Sequence, residues 1–170
     1  KGNGVLDRIS PLRDTKVGRL KVSLYGDPKT GKTRLACTFP KPLLIIGSED
    51  GTASVVGTKG VEFVALRESS EVYTIYEEIP NGRWATVVLD NGTKLRDMRI
   101  AELWALQGLR GKDIPEKKPF LYADKAWKAV WIQTSKDLRN SLSVLLDYPR
   151  DRDLNVLVIS QEANLVYDDG

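Results

Sequence analysis

The chain has 170 residues, 41% of them hydrophobic, with 26 Lys and Arg against 23 Asp and Glu, one cysteine and no histidine. This is one ordinary domain with enough apolar content to bury a core. It excludes an internal disulfide, histidine metal sites and Ser-His-Asp triads, so a metal would need oxygen ligands, which points to Mg²⁺; the net charge of +3 permits a polyanionic partner without demanding one.

Along the chain, Lys1 to Val17 is rich in glycine and charge and reads as an irregular arm (residues 1–18) ahead of a core spanning 19–170. The start at Lys1 without an initiator Met, with Met98 the only methionine, reads as a trimmed or processed piece. No signal-peptide pattern is present and no run approaches the ~20 apolar residues of a membrane span. The lone Cys37, expected as a buried thiol, fits a reducing, cytoplasmic setting.

Arg19 to Tyr25 is a β-prone run. It enters the octet Gly26-Asp27-Pro28-Lys29-Thr30-Gly31-Lys32-Thr33, a complete G-x-x-x-x-G-K-[ST] loop, followed by Arg34. Two glycines let backbone N–H groups gather around a β-phosphate at the start of the next helix. Lys32 would reach the β- and γ-phosphates, and the Thr33 hydroxyl would take one position on Mg²⁺. These nine residues are the candidate nucleotide-binding set. A helix is predicted from Thr33 to Phe39, stopped by Pro40 and Pro42.

Strands are predicted at Leu43–Ile46, Val61–Leu66, Trp84–Leu89 and Asn155–Ser160, with helices at Ser70–Ile79 and near Lys94–Gln107. A long helix follows from the spacing of Trp127, Val130, Trp131, Thr134, Leu138, Leu142 and Leu145, which read as core, while Lys125, Lys128, Lys136 and Arg139 read as a solvated face. Strands alternating with helices imply an α/β fold with a mostly parallel sheet covered on both faces.

In such sheets ligands sit at the carboxyl ends of the strands. Three polar groups stand there, provided the strands are parallel and adjacent: Gly47-Ser48-Glu49-Asp50, Asp90-Asn91 and Ser160-Gln161-Glu162. Asp90, ending an apolar strand, has the form of a second nucleotide-site motif holding Mg²⁺; the plain reading is a strand-terminal Asp. Glu49 and Asp50 are candidates for activating the attacking water, or else simple turn chemistry before Gly51. Gln161 either bonds the γ-phosphate or its water, or caps a loop. Gly108 to Phe120 reads as a long surface loop whose Arg110, Lys112, Lys117 and Lys118 could meet phosphates, with Phe120 or Tyr122 stacking on a base; a solvated loop is the plainer reading.

Taken together, these residues resemble a RecA-type ATPase core, and more narrowly the compact, core-only RecA-like ATPases of bacteriophages, some of which act as single-strand annealing recombinases. The resemblance rests on the phosphate loop with the run Leu35 to Ile46, on Glu49 after the second strand, on Thr86 to Asp90, and on Asn155 to Glu162. It departs at Gly47 and Ser48, where relatives carry Asp and Thr, and at Asn91, where they carry Ser; relatives also have further strands after the sensor Gln.

The resemblance implies a three-layer RecA-like P-loop NTPase core that binds ATP and Mg²⁺, with Glu49 activating water and Gln161 sensing the γ-phosphate. It further implies a ring or filament of copies on single-stranded DNA, in phage recombination, annealing or replication. Asn164 to Gly170 would begin a second DNA loop, and Gly108 to Phe120 would lie near the first. A motor or loader ATPase acting on a protein partner is the alternative, and a small-molecule kinase a distant third.

Overall fold

A computed structural model of the chain describes residues 19–47, 55–79, 82–106, 125–146 and 154–161. Its strands are β1 (Lys21–Gly26), β2 (Leu43–Gly47), β3 (Val61–Ala65), β4 (Thr86–Asp90) and β5 (Asn155–Gln161). The helices are α1 (Lys32–Ala36), α2 (Glu71–Glu78), α3 (Gly92–Leu106) and α4 (Lys125–Leu146). All four strand pairings are parallel, in the order β1-β5-β4-β2-β3. The expected α/β architecture with a parallel sheet between helices is what the chain adopts.

The two-residue period of a strand sorts the core into two layers. Leu43, Ile45, Val88, Leu157 and Ile159 face α1, packing with Ala36 and Cys37. Leu44, Ile46, Val87, Leu89 and Val156 face the opposite side, against Val72 and Tyr76 of α2, Leu95 of α3 and Leu145 of α4. β2 and β4 are buried along their whole length, as expected for central strands of a parallel sheet. β1 is more open: Val22 and Leu24 pack against the α1-side core, whereas Lys21, Ser23 and Tyr25 alternate outward.

Two expectations are corrected. The helix after the phosphate loop ends at Ala36 rather than Phe39. Thr38 and Phe39 donate instead to Leu35 and Ala36 three residues back, and the Thr38 hydroxyl also takes the Leu35 carbonyl at 2.7 Å, so the chain tightens into a turn before Pro40. Cys37 is accordingly the C-cap, buried as expected, with its thiol pushed up in pKa by that burial. The fourth strand begins at Thr86 rather than Trp84, because Trp84 leaves the sheet line to donate its indole N–H to Glu62 at 3.0 Å. Glu62 also pairs with Arg83, and together the two contacts hold its carboxyl below the usual range.

Candidate functional site

The carboxyl ends of the strands form one row. Gly26 of β1 pairs with Gln161 of β5, Ile159 of β5 with Asp90 of β4, and Asp90 with Gly47 of β2. β1 and β4 are not neighbours, as β5 runs between them. The expectation of adjacent strands therefore holds only through this intermediary. Two inter-strand steps set the phosphate loop about 10 Å from the Asp90 strand, a gap that the first turn of α1 crosses.

The loop owes its shape to backbone choices the sequence makes. Gly26 and Gly31 have φ of 146° and 86°, values that residues with a Cβ rarely adopt, and Lys29 between them sits at 65°. Inside the loop, the Thr30 hydroxyl donates to the Asp27 carbonyl at 2.9 Å. The Lys32 ammonium donates to the carbonyls of Gly26 at 2.7 Å and Asp27 at 2.6 Å, so its charge lies within the turn. Arg34 follows, exposed on α1.

The decisive contact closes the gap: the Thr33 hydroxyl donates to Oδ2 of Asp90 at 2.6 Å. Asp90 is 7% exposed, and burial pushes its carboxyl up in pKa, opposed in part by the Thr33 hydrogen bond and by the charge of Lys32. Among the described residues this hydroxyl is the only side chain bonded to that carboxylate. A buried carboxylate and a hydroxyl beside an ammonium are a hard-oxygen donor set. It suits a divalent cation whose remaining ligands are phosphate oxygens and water. No cluster of three or more acidic, Cys or His ligands occurs among the described residues, so an ion held by protein groups alone finds no cage there.

Residues around this pair explain two departures from the RecA-like pattern. A Cβ at Gly47 would lie 1.6 Å from the Asp90 carbonyl oxygen, so only glycine lets β2 run past this point. Asn91 accepts the Lys94 N–H through Oδ1 at 2.5 Å, capping α3; serine is equally at home in that role. The Asp90–Asn91 peptide is cis. Thr93 exchanges two hydrogen bonds with the backbone of Gln161, at 3.1 and 3.0 Å. Neither the close approach at Gly47 nor the role of Thr93 is legible in the sequence beyond a glycine and a threonine close to strand-ending positions.

The structure thus brings Lys32, Thr33, Asp90 and Gln161 onto one rim. Glu49, Asp50, Arg110, Lys112, Lys117, Lys118, Phe120 and Tyr122 lie outside the described residues, as do Glu162 and Asn164 to Gly170.

The family profile of the AAA domain matches residues 19–164. The chain belongs to the AAA domain family. A comparison with curated proteins returned no match. Membership makes this AAA domain a P-loop NTPase-type module and points to nucleotide binding with ATPase chemistry, for which such domains generally use ATP and Mg²⁺. Among the described residues, no helix of this AAA domain is long and apolar enough to cross a membrane.

Proposed function

We propose that this AAA domain hydrolyses ATP as a RecA-like enzyme that binds single-stranded DNA as an oligomer, and that the state of the γ-phosphate sets its DNA affinity, in phage recombination, annealing or replication. The observation that carries the ATPase reading is the Thr33–Asp90 hydrogen bond at 2.6 Å, which joins the phosphate loop to the buried strand-end carboxylate. Thr33 and Asp90 would hold Mg²⁺, which when bound offsets the negative charge on the phosphates. Lys32 balances the charge of the β- and γ-phosphates. Gly26 to Gly31 wrap them with backbone N–H groups, and Arg34 at the loop exit adds positive charge to the same end. Glu49 is the proposed base that takes the proton of the attacking water, and Gln161 the group that registers the γ-phosphate.

The DNA-binding part of the reading draws support from α4. Lys128, Lys136 and Arg139 are all exposed and fall within about 80° of its solvent face. The helix's one carboxylate, Asp137, turns to Arg99 instead. Three cations over about 16 Å of helix axis suit a phosphate backbone.

The test is ATP turnover by the purified chain with and without single-stranded DNA, at low and moderate salt, beside Lys32→Ala. Turnover lost in Lys32→Ala and stimulated by single strands in a salt-sensitive way supports the reading in full. Turnover indifferent to DNA moves the assignment to an ATPase driven by a protein partner, and turnover unchanged in Lys32→Ala removes the catalytic assignment altogether.

A further inference from the structure

Resting on the reading of Gln161 as the γ-phosphate sensor, we infer that Thr93 is the positioning residue that sets Gln161 and couples it to the strand end carrying Asp90. One hydroxyl holds both backbone polar groups of Gln161: it donates to the carbonyl at 3.1 Å and accepts the N–H at 3.0 Å. A hydroxyl has one proton to donate and two lone pairs to accept with, so both bonds form at once.

The neighbouring residue packs directly on the same strand end. A Cβ at Gly92 would stand 3.3 Å from the Ser160 hydroxyl and 3.8 Å from the Ile159 carbonyl, so the start of α3 lies in contact with the end of β5. Asn91 fixes the same turn from its other side by capping α3 at the Lys94 N–H. The segment Asp90-Asn91-Gly92-Thr93 is therefore a short, anchored link. At one end is the carboxylate bonded to Thr33; at the other is the clamp on Gln161. A displacement at the phosphate side reaches Gln161 through three peptide units, without passing through the hydrophobic core. Serine in place of Thr93 keeps both hydrogen bonds, whereas valine keeps the shape and loses both.

The experiment compares wild type, Thr93→Val, Thr93→Ser, Gln161→Ala and the Thr93→Val/Gln161→Ala double variant. It measures steady-state ATP turnover, binding of a non-hydrolysable ATP analogue, and a melting curve for each. Thr93→Val is expected to lower kcat about tenfold while KM and analogue affinity stay within about twofold, the size of effect that losing two hydrogen bonds at a positioning residue allows. Thr93→Ser is expected to restore wild-type kcat, and Thr93→Val is expected to add no loss in the Gln161→Ala background. A folded Thr93→Val with wild-type kcat overturns the inference. So does a loss that multiplies in full on top of Gln161→Ala, because Thr93 would then act elsewhere. If Thr93→Val melts below the assay temperature, Thr93→Ala takes its place with the same expected results. A Gln161→Ala that turns over like wild type removes the sensor reading itself. That outcome is distinct from failure of the clamp alone, in which Gln161→Ala is slow and Thr93→Val is not.

Discussion

Asp90 carries the strongest tension between folding and function in this domain. Its carboxyl is buried beside one hydroxyl, and desolvation raises its pKa above the ordinary carboxylate value. The folded chain therefore holds this proton to higher pH than the unfolded chain does. Asp90's contribution to stability declines as pH rises from the ordinary carboxylate range through the raised value, and the cost is present in full above it. In the nucleotide-free protein, Asp90→Asn is expected to raise Tm at pH 7 by a few degrees, of the order of 2–4 °C per kcal/mol for a chain this size. The gain should shrink toward pH 4, and the same variant should lose Mg²⁺-dependent turnover. Melting curves between pH 4 and 8 check this; a Tm at pH 7 below that of wild type would show that the Thr33 hydrogen bond outweighs the desolvation. The carboxylate itself was legible in the sequence, since an apolar strand ending in Asp after a phosphate loop has few other uses. Its burial was not, because burial depends on Gly47 letting β2 run alongside, a close approach that strand pattern alone does not reveal.

Among the elements, α3 does the most to organise the helical layer. Arg99 donates to Asp137 of α4 at 2.7 Å and to Glu102 of its own helix at 3.3 Å. Glu102 in turn accepts the Ser69 N–H at 2.6 Å together with the Ser69 hydroxyl, while Tyr73 of α2 donates to the Asp137 carbonyl at 3.0 Å. One guanidinium thus separates two carboxylates and ties α3 to α4, while Tyr73 joins α2 to α4 and Ser69 joins the turn before α2 to α3. Its side chain is 27% exposed, so solvent screens part of the interaction. Arg99→Ala is expected to cost about 1–2 kcal/mol, because it leaves two like charges close together. By thermal melting this is a fall in Tm of about 2–8 °C, and an unchanged Tm would mean that water already does the work of the pair. None of this network stood out in the sequence, where Arg99, Glu102 and Asp137 look like ordinary surface charges. By contrast, the apolar spacing of α4 was legible throughout its described part: Val130 and Leu145 are buried and Lys128, Lys136 and Arg139 exposed.

At the scale of the whole molecule, the sheet separates two kinds of surface. α1 packs on one face, and α2, α3 and α4, whose basic side is exposed, pack on the other. If α4 meets the DNA backbone, replacing Lys128, Lys136 and Arg139 together by Gln removes up to three phosphate contacts. The slope of log affinity against log salt for single-stranded DNA should then flatten by about 2, at roughly 0.7 per contact. Fluorescence titrations over a salt series measure it, and an unaltered slope would place the DNA elsewhere on the chain.

The sequence by itself determined what depends on local rules. A two-residue period marks buried strands, a three-to-four-residue period marks helices, and a glycine-bounded octet ending in Lys-Thr can fold into one phosphate-binding shape. Those rules were enough for the parallel α/β architecture and for Lys32, Thr33, Asp90 and Gln161 at its carboxyl rim. Tertiary structure alone decided what depends on distance between segments far apart in the chain. It inserted β5 between β1 and β4, closed the Thr33–Asp90 contact across that gap, and set Thr93 on the backbone of Gln161. A hydrogen bond needs its partners within about 3 Å, and spacing along a chain carries no such information until the strand order is known.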